Sequence, residues 1–129
     1  MYSNGLTRTY AAAIGVILVL VGLLGFVDNP IVGSPNAVFP TGVNHNLVHL
    51  ATGLLALYVA FGLQGRAQAT AVVGFGILYL VIFVALVVSP TLFGLLEPVN
   101  VADHVLHAAL GLVSLAVGYL ARGQVHQTA

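Results

Sequence analysis

The sequence predicts an all-α, polytopic membrane protein, a four-helix bundle made of two tandem helical hairpins. Three observations carry this. Of 129 residues, 60% are hydrophobic and only 5% are charged, against roughly 25% charged in a soluble domain. Four apolar stretches, residues 10–27, 47–63, 69–88 and 105–121, each approach the roughly 20 residues that a helix needs to cross hydrocarbon. The second half of the chain also repeats the first. The length accommodates one domain, 1–129, with repeats at about 9–65 and about 68–123.

The first stretch has a single positive charge ahead of it, Arg8. It is long for the apolar part of a signal peptide and has a counterpart in the third stretch, so it is expected to be a helix of the mature protein. The connection that follows, "DNPIVGSPNAVFPTG", and the later one, "SPTLFGLLEPVN", contain all five prolines. Proline here marks helix ends and starts. Both connections keep apolar residues and are expected to fold back onto the bundle. The second stretch is the shortest and spans the bilayer only if its polar start, "VNHN", is also helical. A short turn, "LQGRAQA", leads to the third stretch, and the fourth ends in the polar tail "RGQVHQTA". His126 in that tail is expected to be solvated or disordered.

The charges sort by side. Arg8, Arg66 and Arg122 flank the termini and the short turn, whereas Asp28, Glu97 and Asp103 lie in or beside the long connections. The positive-inside rule then places both termini in the cytoplasm and the acids, with four of five histidines, on the outer side of the inner membrane. There are no cysteines, which excludes disulfides, thiolate metal sites and covalent c-type haem attachment. Zero formal net charge argues against a nucleic-acid partner or a polybasic lipid anchor.

A shift of 58 residues lays the second stretch on the fourth. Pro40, Val43, His49, Ala51 and Gly53 meet Pro98, Val101, His107, Ala109 and Gly111, and nine of 26 positions from Pro40 to Gly65 are identical. The first and third stretches match more weakly, through "FVDNP" and "VVSP" at a shift of 60. Two hairpins of even span number share one orientation, related by a pseudo-two-fold axis along the membrane normal. At about 100° per residue, His49, Gly53, Ala56 and Ala60 form one narrow stripe, and His107, Gly111, Ser114 and Gly118 another. Small residues let membrane helices approach closely. The stripes are expected to face the bundle centre and carry their histidines inward.

Around the stripe tops, His45, Asn46, Asp103 and His104 lie within about 60° of the histidine directions. The expected cluster is therefore His45, Asn46, His49, Asp103, His104 and His107. Three chemistries fit it. In the first, Asn and Asp cap helices and the histidines only hydrogen-bond between helices. In the second the cluster binds a ligand. A divalent metal would use His45, His49, Asp103, His104 and His107, because i,i+4 and i,i+3 spacings put histidines on one face. A tetrapyrrole, haem or chlorin, would use His49 and His107 as axial ligands, with Gly53 and Gly111 leaving room for a flat macrocycle. The third, transport or catalysis, has least support, since no Asp, Glu, Lys or Arg falls within any apolar stretch and no nucleophile has an obvious base beside it. Among the other polar residues, Tyr10, Phe61 and Tyr119 are placed for an aromatic belt. Tyr79 and Ser114 are expected to satisfy their hydroxyls on a neighbouring helix or the preceding turn.

The segments "NLVHLATG" (Asn46, His49, Gly53) and "HVLHAALG" (His104, His107, Gly111) resemble the signature of a family of small four-helix bacterial membrane proteins of unassigned function. That family opens its second helix with Asn-x-x-His-x-x-x-Gly and carries a related histidine motif in the fourth. The resemblance implies the four-helix architecture and the importance of His49 and His107. It implies no activity, and His104 departs from it by standing where the first motif has Asn. The expectation is a non-enzymatic accessory or binding protein in the bilayer, alone, as a homo-oligomer or within a larger complex, with bis-histidine tetrapyrrole or metal binding as the alternative.

Overall fold

The structure, a computed structural model, describes the backbone of residues 3–128 and the side chains of residues 5–123. His126 therefore lies outside the described side chains. The elements run α1 (Ser3–Leu24), β1 (Val32–Gly33), β2 (Phe39–Pro40), α2 (Val43–Gly62), α3 (Gly65–Val88) and α4 (Val101–Thr128). All four helices are long and apolar enough to cross a membrane. At about 1.5 Å per residue the shortest, α2 with 20 residues, spans about 30 Å, the thickness of bilayer hydrocarbon. The polar "VNHN" start is helical, as that length requires. The chain is a multi-pass membrane protein, and its exposed apolar side chains, such as Ile17, Leu54, Val81 and Leu112, give the surface that lipid contacts.

Within the described residues, α1 packs along α2 and α3 along α4, while contact between the hairpins is sparser. Glycine sets the closeness inside each hairpin. A Cβ on Gly53 would lie 3.0 Å from the Gly15 carbonyl oxygen of α1, and one on Gly15 would lie 3.0 Å from that of Gly53. In the second hairpin Gly76 and Gly111 face each other the same way, at 2.8 and 3.1 Å. The glycines of the small-residue stripes thus face the partner helix of their own hairpin rather than the bundle centre. Ala56 does reach the centre, against Leu18, Phe75 and Tyr79.

The buried faces sharpen the internal offsets. His45, His49, Gly53, Ala56 and Ala60 are buried, and so are Asp103, His107, Gly111, Ser114 and Gly118, 58 residues on. For α1 and α3 the buried positions Thr7, Ala11, Gly15 and Leu18 correspond to Gln68, Val72, Gly76 and Tyr79, an offset of 61 rather than the 60 of the proline-bearing ends. The difference of one residue falls between the helix faces and the turns.

The long connections fold back, as their apolar content requires. β1 and β2 form a two-stranded parallel pair, with Val32 opposite Phe39. Asn29 organises this loop: its Nδ2 donates to the carbonyls of Leu24, Val27 and Val32, and its Oδ1 accepts from the amides of Ile31 and Val32. The two connections are stitched to the opposite hairpin's ends. Asn100 Nδ2 donates to the Val38 carbonyl at 3.0 Å, and Asn44 Nδ2 to the Leu95 carbonyl at 2.8 Å. At the other end of the bundle, α2 and α3 are joined by two residues, and Gln68 Nε2 donates to the Val59, Ala60 and Leu63 carbonyls. Arg8 adds bonds to the Ala60 and Leu63 carbonyls, a cation where the α2 dipole is negative.

Candidate functional site

Three histidines meet near the end of the bundle that carries the two long connections. His45 and His49, one turn apart on α2, have ring centroids 4.4 Å apart. His107 of α4 lies 5.9 Å from His45 and 6.5 Å from His49. Each is 2% exposed. One ring nitrogen from each residue can be chosen so that all three lie within 4.8 Å of one another. These side chains span a gap between two helices whose backbones are not packed on each other.

The rings are not held by hydrogen bonds. His45 Nδ1, His49 Nδ1, His49 Nε2 and His107 Nδ1 are all buried with no hydrogen-bond partner. A buried polar group left unpaired costs about 1–3 kcal/mol, so such groups are seldom left so.

Beside the rings is a chamber of about 100 Å3, lined by His45, Val48, His49, Tyr79, Ile82, Leu86 and His107 and roofed by Leu92 and Leu96 of the second long connection. That volume accommodates an ion or a few waters and falls well below the 300–1,000 Å3 typical of small-molecule sites. The roof is a strained turn. Leu92 and Phe93 adopt φ of 50° and 58°, a left-handed conformation that costs L-residues roughly 1–2 kcal/mol each. Tyr79, in the wall, has its ring 5.9 Å from His107. Its hydroxyl pairs with that of Thr52 at 2.6 Å, so it is committed to the protein.

The other expected members stand apart. Asp103 closes the start of α4: its Oδ2 accepts from the Asn100 amide, and the Asp103 amide donates to Asn100 Oδ1, both at 3.0 Å. This reciprocal pair is a capping box. Asn46 accepts from Thr41 Oγ1 at 2.5 Å and lies against Gly25, just past the end of α1. It does not cap α2, whose N-cap is Gly42 without a side-chain bond. His104 turns away to meet the edge of Phe83 at 6.1 Å, its Nδ1 buried and unpartnered.

The glycines of the two His-x-x-x-Gly motifs also stand apart. The space beside Gly53 is filled by Val19 and Gly15, and that beside Gly111 by Leu80 and Gly76. The slot expected there for a flat macrocycle is occupied by the neighbouring helix in both hairpins.

Hydroxyls deeper in the bundle are likewise engaged. Ser114, fully buried, bonds Tyr10 at 2.6 Å, which draws Tyr10 away from the aromatic belt expected for it. Phe61 and Tyr119 are exposed at 71% and 57%, as a belt requires. Leu92 and Leu96 complete the chamber and were not singled out by sequence reasoning. Tyr79, whose hydroxyl was expected to be satisfied on a neighbouring helix, lines the chamber with its hydroxyl on Thr52 of α2.

No curated protein and no solved structure matches this chain. Residues 8–120 match a family described as a domain of unknown function, DUF4383. The match runs from the arginine of the first helix nearly to the end of the fourth span, so this four-helix membrane protein belongs to the DUF4383 family.

Proposed function

We propose that this protein is a non-enzymatic metal-binding protein of the inner membrane, holding one transition-metal ion on His45, His49 and His107. The observation that carries the reading is the set of four unpartnered, buried nitrogens on three rings, with one nitrogen of each within 4.8 Å of the others. Metal–imidazole bonds of about 2.0–2.1 Å place ligand nitrogens about 3.3–3.6 Å apart. Small rotations of rings that no hydrogen bond restrains close that difference. Imidazole suits copper and zinc, and carboxylate-preferring magnesium and calcium find no oxygen ligands in this triad. The three ligands are neutral and Asp103 is engaged in its cap. A divalent ion would leave two uncompensated charges in an apolar interior, which favours monovalent copper.

The tetrapyrrole alternative has less support, because the chamber is about 100 Å3 and the glycines are covered. The orientation follows the arginines: Arg8, Arg66 and Arg122 place the termini in the cytoplasm and the triad near the outer surface. A larger membrane complex or a homo-oligomer would be the setting in which such an ion is handed on or used.

The test is elemental analysis of protein purified from membranes without chelator or an affinity metal column. The reading expects close to one copper or zinc per chain, lost in His45→Gln and in His107→Gln and retained in His104→Gln. Wild-type protein free of transition metal after growth with copper and zinc, and unable to take up either on titration, overturns it.

A further inference from the structure

The triad and its chamber are sealed. His45, His49 and His107 are each 2% exposed, so an ion passes in or out only when something moves. The side walls are helical: Val48 on α2, and Tyr79, Ile82 and Leu86 on α3. Parting them would open the bundle, and an ion leaving that way would meet hydrocarbon, where a charge is expensive. The roof is built differently. Leu92 and Leu96 belong to the connection between α3 and α4, whose backbone bonds mainly to itself. The Val99 amide donates to the Pro90 carbonyl at 3.0 Å and closes the loop at its base. Within it the Leu96 amide donates to the Thr91 carbonyl, and the Gly94 amide to the Thr91 carbonyl and hydroxyl. A compact surface loop with joined ends is an Ω-loop, a form that is frequently functional. Among the described residues, one hydrogen bond ties this loop across to another helix: Asn44 Nδ2, at the start of α2, donates to the Leu95 carbonyl at 2.8 Å.

We propose that the loop from Pro90 to Val99 is a lid through which the metal enters and leaves the triad, with Asn44 as its latch; this rests on the metal reading above. Leu92 and Leu96 line the chamber, whereas Phe93 and Leu95 are 75% and 62% exposed. Lifting the loop therefore withdraws two side chains and breaks one hydrogen bond to α2, and the bond between Val99 and Pro90 can stay as the hinge. The backbone favours the motion. Leu92 and Phe93 hold φ of 50° and 58° in succession, a conformation that persists only while the closed structure enforces it. Strained segments of this kind cluster at ligand clamps and switch regions. The latch stands one residue before His45, so the group that holds the lid down and a ligand beneath it share one turn of α2. With the lid raised, the chamber opens at the end of the spans, where headgroups and water begin, and the ion does not cross the apolar interior.

The experiment uses full-length protein in detergent micelles, loaded with copper(I), and bathocuproine disulfonate, a chelator that colours on taking the ion. A lid makes opening the slow step, so the release rate should level off as chelator is raised. Asn44→Ala should raise that plateau about fivefold, the worth of one hydrogen bond, at unchanged copper content. A staple tests the lid directly, because the chain has no cysteine of its own. A Cβ on Gly42 would stand 2.5 Å from Glu97 Cγ, hence within about 4 Å of the Cβ at 97, the reach of a disulfide. The double variant Gly42→Cys, Glu97→Cys, once oxidised, should lose the rapid copper(I) uptake that the same protein keeps when reduced and capped with iodoacetamide. Release that rises in proportion to chelator without levelling, a plateau unmoved by Asn44→Ala, or equal uptake by the stapled and capped forms each overturns the lid and leaves the metal site standing. Wild-type protein that takes up no copper(I) overturns the lid together with the assignment of copper to the triad.

Discussion

Replacing Gly53 by alanine adds one methyl group where the hairpin has no room for it. The new Cβ would stand 2.8 Å from both Val19 Cγ2 and the Val19 backbone nitrogen, and 3.0 Å from the Gly15 carbonyl oxygen. Ordinary contact lies at about 3.5–4.0 Å, so α1 and α2 must separate by roughly 0.7 Å. Backbone atoms supply two of the three contacts, and no rotamer change relieves them. Overpacking of this kind costs about 1–3 kcal/mol. Alanine in a helix recovers about 1 kcal/mol over glycine, which would mask part of the loss. Gly74→Ala removes the ambiguity, because Gly74 is exposed on α3 with nothing within 4 Å of its virtual Cβ. It should be stabilising by about 1 kcal/mol, so the two variants should differ by about 1–3 kcal/mol. Reversible unfolding in mixed micelles, followed by helicity, measures both. Gly111→Ala should cost less than Gly53→Ala, because its two nearest contacts, at 2.7 Å, are side-chain atoms of Leu80 that can move. The reasoning is refuted if Gly53→Ala is as stable as Gly74→Ala. A Gly53→Ala protein that keeps its stability but loses a bound pigment would restore the macrocycle slot.

Asp103→Ala, which removes the oxygen that accepts from the Asn100 amide, should lower stability by about 1 kcal/mol, the usual worth of a helix cap, with metal content unchanged. Loss of metal in that variant would return Asp103 to the site. Thr52→Val should destabilise more than Tyr79→Phe, since it strands the Tyr79 hydroxyl, whereas Thr52 retains its bond to the Val48 carbonyl at 2.9 Å. The double variant should be milder than the sum, and strict additivity in the double-mutant cycle would refute the pairing. Gln68→Leu removes three bonds to the end of α2 and should cost about 1–3 kcal/mol without affecting metal uptake. Unchanged unfolding of Gln68→Leu would refute that role.

The four spans were legible because they follow from composition and length alone. Ile17, Leu20, Leu23 and their like must face something apolar, and stretches this long must be helical to satisfy their backbones in lipid. The extension of α2 and α4 back through "VNHN" and "VADH" follows from the same length requirement. The parallel β pair and the Leu92–Phe93 turn were not legible. Asn29 forms five bonds that depend on the path of its own loop, and left-handed backbone at Leu92 and Phe93 contradicts local preference. Such a turn persists only where tertiary contacts override it.

The site itself was legible by face and not by partner. Spacing put His45, Asn46 and His49 within one sector of α2, and Asp103, His104 and His107 within one sector of α4, but a sector of about 60° is as wide as the choice between two neighbouring helices. Which side chains meet depends on where α1 and α3 intrude, and that is decided by Gly15 against Gly53 and Gly76 against Gly111. Once those glycines draw each hairpin tight, Asn46 is pressed against Gly25, just past the end of α1, and His104 is turned to Phe83 on α3. Only His45, His49 and His107 are left pointing across the gap between α2 and α4. The glycine of each His-x-x-x-Gly motif thus acts on the site at a distance: it sets the helix approach, and the histidine one turn away is placed by it. Small-residue substitutions in α1, such as Gly15→Ala, should therefore shift metal affinity through the position of His49 even though Gly15 touches none of the three rings. Unchanged affinity in a Gly15→Ala protein that unfolds earlier would separate packing from the site and refute that coupling.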